Sequence, residues 1–290
     1  MGVAATATAA ALFVPEPEPN LTAITYCPTI RTEGPWDATA MHGGPPSGLL
    51  ARTVERFDAG DGTSAADWFV SRLTIELLRP IPIRPIRITS RLSRPGRRVQ
   101  LVDASLWSLD GTVELARVTA LRIRRQRNFA LPTTAHTANA AHDDARRPMG
   151  QDDPASVGEA PKWRDGTGFY HLGADVRSVV GSFSTPGPGT IWVRLRQPLV
   201  LGEVDTPLIA TATMADLTNA SASSLPPGTH AHPNADLTIS RLRDQTGEWM
   251  GLSGVSRISE EGIGLVVADL FDVDGVIGQS AASLVVSALP

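Results

Sequence analysis

The chain has 290 residues, of which 42% are hydrophobic and 19% are charged, and its formal net charge is −4. This composition supports a folded core, and the slight negative charge without a long basic run argues against a nucleic-acid partner. The single cysteine, Cys27, excludes an internal disulfide framework and a cysteine-rich metal site, and it fits a reducing, cytoplasmic setting.

The N-terminal segment, residues 1–19, is rich in alanine and threonine and contains no basic residue. A secretory signal peptide begins with basic residues and continues with larger apolar ones, so we do not predict export. No stretch approaches the ~20 consecutive apolar residues that a spanning helix requires. We therefore predict a soluble protein that does not interact with membranes.

Three short segments of the first half recur in the second half in the same order. Residues 73–75 (LTI) recur at 237–239, residues 90–93 (SRLS) recur as SRIS at 256–259, and residues 106–111 (LWSLDG) recur as LFDVDG at 270–275. The spacing is about 165 positions in each case, and three collinear matches indicate a duplication.

The first copy predicts one helix followed by antiparallel strands. Apolar positions from Leu49 to Phe57 fall on one helical face, preceded by Pro45 and Pro46, which helix starts tolerate. The alternation of residues 72–77 predicts a half-buried strand, which prolines at 80, 82 and 85 separate from the next one. Runs at 99–107 and 113–123, joined through Asp110-Gly111, predict a hairpin.

The second copy repeats this order. Thr206 is a candidate N-cap and Pro207 a candidate first residue of its helix, with Ala210, Met214 and Leu217 on the apolar face. Strand-like runs near 263–271 and 276–286 flank a second Asp-Gly pair at 274–275.

Residues 126–162 are rich in Ala, Thr, Asp and Pro without apolar periodicity, which is typical of a tether. We therefore predict an N-terminal module at 1–125, a linker at 126–162 and a C-terminal module at 163–290. One helix with several antiparallel strands, twice over, is an α+β architecture. Two sheets side by side would hide one edge of each, as in a covalent version of a dimer.

The motifs of both halves resemble the double-hotdog acyl-CoA thioesterases, in particular the acyl-CoA thioesterase II-like proteins of actinobacteria. The first half carries GPWD at 34–37 and HGGPPSGLLAR at 42–52. The second half carries PLV at 198–200 followed by Gly202-Glu203, ADLTN at 215–219 and NADLT at 234–238. The resemblance covers about residues 10–125 and 165–288.

This resemblance implies a double hotdog, with two tandem modules that each wrap an antiparallel sheet around one long helix. It implies hydrolysis of fatty or related acyl-CoA thioesters without a cofactor. It assigns the catalytic aspartate to Asp236 and the catalytic hydroxyl to Ser256, with Ser259 as the alternative. The glutamine of the family falls on Ala282 or Ser283, so this chain departs from the pattern at that position.

The residues themselves leave two interpretations of Asp236. A carboxylate there can orient and deprotonate a water that the Ser256 hydroxyl also holds, or it can accept a hydrogen bond from a backbone N–H. The aligned residue of the first copy is Arg72, so any site on this strand is asymmetric.

Two further groups are candidate substrate-binding residues. His42, Gly43 and Gly44 precede the first helix, where free backbone N–H groups and the helix dipole stabilise an oxyanion. Asp216 and Asn219 are three positions apart, which puts them on one face of the second helix. That polar pair either positions the water and thioester or forms a buried polar network.

Other candidate sites are weaker. Five arginines can bind CoA phosphates or line solvated strand edges; they are Arg72, Arg91, Arg94, Arg97 and Arg98. Four residues in the tether have metal-binding chemistry but are more typical of solvated side chains; they are His136, His142, Asp143 and Asp144. We predict no metal site.

The sequence therefore predicts an acyl-CoA thioesterase that uses Asp-assisted attack of water and associates into a dimer or higher homo-oligomer. The missing glutamine motivates an alternative, a catalytically decayed hotdog protein that binds acyl thioesters without hydrolysis. A hydratase is a third interpretation, because one fold hosts several reactions.

Overall fold

The computed structural model of the chain describes residues 10–17, 24–126, 129–130, 154, 157–158, 168–182 and 185–289. The helices are α1 (Gly44–Glu55), α2 (Pro207–Ala215) and the short α3 (Thr218–Ser221). Most of the predicted tether, including His136, His142, Asp143 and Asp144, lies outside the described residues.

The strands divide into a first-half and a second-half set. Those of the first half are β1 (Phe13–Pro17), β2 (Ile24–Pro28), β3 (Trp68–Leu77), β4 (Ile86–Arg94), β5 (Val99–Ser108) and β6 (Glu114–Arg124). Those of the second half are β7 (Ala174–Ser182), β8 (Thr185–Leu195), β9 (His230–Ala231), β10 (Asp236–Arg241), β11 (Met250–Ile258), β12 (Ile263–Asp272), β13 (Gly275–Val285) and β14 (Ser287–Ala288).

Twelve of these strands form one antiparallel sheet in the order β1-β2-β4-β5-β6-β3-β10-β13-β12-β11-β8-β7, while β9 pairs with β14. The two halves meet at β3 and β10, where Thr74 lies opposite Thr238 and Ile75 opposite Leu237. The duplicated Leu-Thr-Ile segments therefore pair with each other about a local twofold axis. This pairing confirms the internal repeat predicted from the sequence.

The predicted hairpins are confirmed. Gly111 and Gly275 have φ values of +71° and +117°, which a residue with a side chain rarely adopts. The strand register shifts at Leu106/Trp107 in the first half and at Leu270/Phe271 in the second, which are equivalent positions of the repeat.

The two long helices pack against each other in antiparallel directions. Thr206, the predicted N-cap of α2, donates from its hydroxyl to Glu55 at the end of α1, at 2.6 Å. Near the other end, a Cβ on Gly48 would lie 2.0 Å from Oγ1 of Thr213, and one on Gly44 would lie 2.4 Å from the Thr213 carbonyl oxygen. Two glycines one helical turn apart thus allow the close approach of α1 to α2.

The main core lies between the helices and the sheet. Leu49 and Leu50 of α1, Ile209 of α2 and the inward residues Ile75 and Leu237 are fully buried. Within the described residues, no helix has the length and apolar content that crossing a bilayer requires.

Candidate functional site

A cavity of about 670 Å³ opens where the start of α1 meets the end of α2. Its polar end is formed by His42 and Gly43, which precede α1, and by Asp216, which follows α2. Its walls come from residues 33–37, 77–81, 225–228 and 232–235, together with Tyr170, His171, His230 and Val285. The antiparallel packing of the helices brings these segments, which are far apart in the sequence, to one place.

The His42 ring is fixed on two sides. Its Nδ1 lies 2.8 Å from Oδ2 of Asp216 and 3.1 Å from the backbone nitrogen of Gly44. The ring also packs on Phe169, with 4.9 Å between centroids. Only 11% of the side chain is exposed. Among the described residues Nε2 has no hydrogen-bond partner, and it is the ring atom left for a ligand in the cavity.

Asp216 is almost fully buried and its carboxylate is held at both oxygens. Oδ1 accepts a hydrogen bond from Nδ2 of Asn234 at 2.6 Å, while Oδ2 faces His42. Asn234 also donates to the backbone carbonyl of Asp216, at 3.1 Å. Its own Oδ1 is buried without a partner in the described part of the chain. This amide therefore fixes the carboxylate and leaves one acceptor unused beside the cavity.

Asn219 lies in the same cavity but binds a different partner. Its Nδ2 donates to the His232 carbonyl at 2.6 Å, and its Oδ1 lies 3.1 Å from Nδ1 of His232. Burial lowers the pKa of His232, so this imidazole stays neutral more readily than an exposed one. Trp36 covers the ring edge-on at 4.9 Å.

The helix between Asp216 and Asn219 is interrupted, which corrects the prediction that both lie on one helix. The residues 207–215 form α2, Asp216 caps its C-terminus, and α3 begins at Thr218. The two polar side chains still line one cavity, because the chain turns within that gap rather than leaving the site.

Backbone N–H groups at the start of α1 are largely occupied. Gly44 donates to His42, Ser47 donates to the Gly43 carbonyl at 3.1 Å, and Pro45 and Pro46 have no N–H. Gly43 lines the cavity, whereas Gly44 packs against α2. The Gly43 N–H has no acceptor in the described part of the chain. It is the donor left for an oxyanion in this first turn.

Asp236 lies outside this cavity. It begins β10 opposite Glu76 of β3, and the buried neighbours Leu237 and Ile239 face the helices, so Asp236 and Glu76 share the outer face of the sheet. Its Oδ1 accepts a hydrogen bond from the backbone N–H of Ser283 at 2.7 Å. This is the hydrogen bond from a backbone N–H that the sequence analysis gave as the structural interpretation of Asp236.

Ser256 is not brought together with Asp236. It belongs to β11 and lies opposite Val266 of β12, so two strands separate it from β10. At about 4.8 Å per strand, the two residues are roughly 14 Å apart along the sheet. One water cannot contact both side chains at that separation.

The other sequence candidates lie on the surface. All five arginines proposed for CoA phosphates are exposed, none lines the cavity, and Arg91 pairs with Asp103 at 2.9 Å. Arg79 is the arginine at the cavity. In the described residues, no three His, Cys, Asp or Glu side chains come together as metal ligands.

The sequence reasoning missed Asn234, His232 and Trp36 as cavity side chains. Trp36 and Asn234 stand in motifs that carried the family resemblance, but no periodicity links them to His42. The duplication was the one signal that could have located the cavity. It predicts two equivalent helices, and if they pack antiparallel, the start of one lies next to the end of the other.

Two family models match the sequence: an acyl-CoA thioesterase N-terminal domain at residues 32–123 and an acyl-CoA thioesterase C-terminal domain at residues 143–286. No protein of curated function matches it.

Several solved structures are similar over almost the whole chain. A protein of unknown function with a hot dog fold from Alicyclobacillus acidocaldarius has a TM-score of 0.69 at 13% identity, with 100% of each chain covered. The TesB protein of Mycobacterium avium subspecies paratuberculosis has a TM-score of 0.62 at 14% identity, with 98% of each chain covered. The acyl-CoA thioesterase II TesB2 of Mycobacterium marinum has a TM-score of 0.60 at 14% identity, with 95% of this chain and 96% of that chain covered. These similarities show that the chain has a hotdog fold.

Proposed function

The chain belongs to the acyl-CoA thioesterase family, and we propose that it hydrolyses fatty or related acyl-CoA thioesters to the free acid and CoA. One observation carries this proposal: an imidazole held by a carboxylate and an unpaired backbone N–H converge at one end of a cavity of about 670 Å³. Ligand sites of proteins have this combination of size and few convergent polar groups.

The cavity walls suit an acyl chain. Leu78, Ile81, Leu225 and Val285 line it together with several prolines, so an alkyl group gains by leaving water there. The polar groups lie together at the start of α1. The thioester carbonyl would lie at that end, with the acyl chain along the apolar walls.

Hydrolysis requires stabilisation of the oxyanion that forms when water attacks the carbonyl carbon. The free N–H of Gly43 can donate to that oxygen, and the positive end of the α1 dipole favours the same charge. Since Pro45 and Pro46 contribute no donor, Gly43 carries this role in the first turn.

The finer architecture is part of the proposal. We infer a double hotdog with modules at 1–125 and 163–290 and a linker at 126–162, supported by the local twofold axis between β3 and β10. Association into a homo-oligomer and a cytoplasmic location remain predictions from the sequence.

Two aspartates are candidates for assisting the attack of water. The sequence assigned it to Asp236 with Ser256, whereas Asp216 is the aspartate that lines the cavity. The variant Asp236→Asn distinguishes the two, because it keeps an acceptor for the Ser283 N–H and removes a base. A loss of turnover of about 10²-fold or more in this variant would support Asp236 as the base. Turnover near that of the wild type would support Asp216 in the cavity instead.

The activity is tested with the purified wild-type chain and a series of acyl-CoA thioesters, by the release of free thiol. We expect turnover on at least one chain length, saturating with substrate. Binding of acyl-CoA in calorimetry without thiol release would instead favour the non-catalytic binder.

A further inference from the structure

We propose that Arg79, at the mouth of the cavity, binds the phosphates that follow the pantetheine arm of the substrate. Arg79 would thereby make the protein select phosphate-bearing thioesters over neutral ones. This inference rests on the proposed thioesterase activity and adds the residue that recognises the CoA part of the substrate. The five arginines that the sequence suggested for this role do not line the cavity, whereas Arg79 does.

The charge of Arg79 is available to a ligand. Its side chain is exposed, and in the described part of the chain it forms no hydrogen bond or ion pair. Its own segment supplies no counter-ion, because no aspartate or glutamate occurs between Glu76 and Asp103. Those two acids pair with Arg117 and Arg91 instead. A guanidinium with free N–H groups binds a phosphate through two parallel hydrogen bonds.

The carboxylates of the cavity do not neutralise Arg79 by direct contact. Asp37 accepts hydrogen bonds from the backbone N–H and the hydroxyl of Thr39, at 2.8 and 2.7 Å. Asp216 accepts from Asn234 at 2.6 Å, deep in the cavity. Within the described residues neither carboxylate forms an ion pair with Arg79, so an anionic ligand meets an unpaired cation at this side of the mouth.

The loop that carries Arg79 is fixed to the segment that leads into α1. The backbone N–H of Met41 donates to the Ile81 carbonyl at 2.7 Å. The backbone N–H of Ile83 donates to the Thr39 carbonyl at 3.0 Å. These hydrogen bonds hold Arg79 at a defined place relative to the polar end of the cavity, which lowers the entropic cost of binding.

Leu77 connects the polar end of the cavity to its mouth. Its Cδ1 is 2.9 Å from the position of a Cβ on Gly43, the residue whose N–H is left for the oxyanion. The Cα atoms of Leu77 and Arg79 are at most about 7 Å apart, because two residues separate them. Leu77 is partly buried and Arg79 is exposed, so this edge leads outward. With the thioester carbonyl at Gly43, the neutral and flexible pantetheine arm would follow this edge and bring its phosphate to Arg79.

The variant Arg79→Gln tests the inference with three thioesters of one acyl group: acyl-pantetheine, acyl-phosphopantetheine and acyl-CoA. Glutamine keeps a hydrogen-bond donor and removes the charge. We expect kcat/KM for acyl-CoA to fall about tenfold, mainly through KM, because the lost contact is remote from the reacting carbon. Acyl-pantetheine has no phosphate, and its kcat/KM should stay within about twofold of the wild type.

Acyl-phosphopantetheine distinguishes the two sources of the phosphate. A carrier-protein arm and CoA share the phosphate next to pantetheine, and only CoA adds the further phosphates of its nucleotide. A loss with both phosphorylated substrates supports a contact with the shared phosphate. A loss with acyl-CoA alone supports a contact with the nucleotide phosphates and excludes a carrier-protein arm as the group that Arg79 binds.

Arg94→Gln is the matched control, since it makes the same charge change at the far end of β4. At about 3.3 Å per residue, Arg94 lies roughly 25 Å from the start of that strand. This separation exceeds the Debye length of ~8 Å at physiological ionic strength. The control should therefore keep wild-type kcat/KM with all three substrates. Added salt should raise KM for acyl-CoA in the wild type and in Arg94→Gln, and less so in Arg79→Gln.

Two results would overturn the inference. Equal losses with acyl-pantetheine and acyl-CoA would mean that Arg79 only shapes the cavity, and an unchanged kcat/KM for acyl-CoA would mean that it does not contact phosphate. If the wild type releases no thiol from any substrate, the proposed function fails, and calorimetric titration with CoA still decides this inference. A Kd for CoA about tenfold higher in Arg79→Gln supports it, and equal Kd values in the two proteins overturn it.

Discussion

At the scale of single residues, position 43 has space only for glycine. Its backbone supplies the free N–H at the cavity, and the place of its missing side chain is filled by the Asp216 carboxylate and by Leu77, whose Cδ1 is 2.9 Å from the position of a Cβ. Since Asp216 is held by His42 and Asn234, it cannot retreat without breaking one of those contacts.

Gly43→Ala should therefore lower kcat by more than about tenfold, because the added methyl group displaces Asp216 and disturbs the polar end of the cavity. The measurement is steady-state thiol release, with Gly158→Ala as control. Among the described residues, a Cβ on Gly158 meets nothing within 4 Å, and its φ is not positive, so the control should keep its activity. An active Gly43→Ala enzyme would show that the Asp216–His42 contact is dispensable.

Individual residues also mark what the sequence can and cannot predict about the site. His42 and Gly43 were selected because they precede the first helix, and Asp216 and Asn219 as a polar pair on one face of the second, and the structure brings all four to one cavity. Their contacts were not predictable, because His42 meets Asp216 across 174 positions of the chain. Whether Asp236 and Ser256 contribute to catalysis stays a prediction.

At the scale of elements, the α1–α2 contact decides whether the cavity exists. Gly48 and Thr213 touch at the crossing, where a Cβ on Gly48 would lie 2.0 Å from Oγ1 of Thr213. The sequence predicted both helices from apolar periodicity and capping residues. It did not predict this contact, since small residues at a crossing have no periodicity of their own.

Gly48→Ala should lower the free energy of unfolding by about 1–3 kcal/mol through overpacking, whereas helix propensity alone would raise it by about 1 kcal/mol. The sign of the change in the free energy of unfolding, measured with denaturant, thus distinguishes overpacking from helix propensity. Adding Thr213→Ala removes the clashing hydroxyl and should recover part of the loss. A stabilised Gly48→Ala protein would contradict the close helix contact.

Asp205, which lies just before α2, makes the stability of the protein depend on pH. Burial raises the pKa of Asp205 to about 6, although two approaches of the Leu199 N–H oppose the shift. Because an unfolded aspartate has a pKa of ~3.9, the folded chain binds an extra proton between about pH 4 and 6. Asp205 therefore makes the protein more stable as pH falls through that window, and this contribution is lost as pH rises through 6.

Asp205→Asn removes that titration and keeps an acceptor for the Leu199 N–H. Thermal unfolding at pH 8 should give the variant a melting temperature equal to or above that of the wild type. At pH 5 the wild type gains relative to the variant, so the melting temperature of the variant minus that of the wild type should be smaller than at pH 8. A difference that is the same at both pH values would contradict a raised pKa at Asp205.

At the scale of the whole molecule, the two ends of the helix pair differ in the described part of the chain: one opens into the cavity and the other carries an ion-pair network. The local twofold axis relates the start of α1 to the start of α2. At that second position Glu203 binds Arg52 at 2.5 and 2.7 Å and Arg56 at 2.9 Å, while Thr206 binds Glu55. An ion-pair network thus fills the space that the cavity occupies at the first position.

Each chain should consequently bind one acyl-CoA. Calorimetric titration of the wild type with a non-hydrolysable thioether analogue of acyl-CoA measures the stoichiometry directly. We expect one ligand per chain, and two per chain would show that the Glu203 network opens to form a second site.

The duplication and the two hairpins are the parts of the whole molecule that follow from the sequence, since repeated motifs at a fixed spacing impose equivalent elements. The asymmetry of the halves does not follow, because it depends on which side chains meet at the two ends of one helix pair.

The most direct test of the account is a single-turnover experiment with enzyme in excess over acyl-CoA, comparing the wild type and Gly43→Ala for bound substrate and for released thiol. The account predicts that both proteins bind the substrate and that the wild type releases CoA more than about tenfold faster. Equal release by both proteins, or no release by the wild type with any acyl chain, would contradict it.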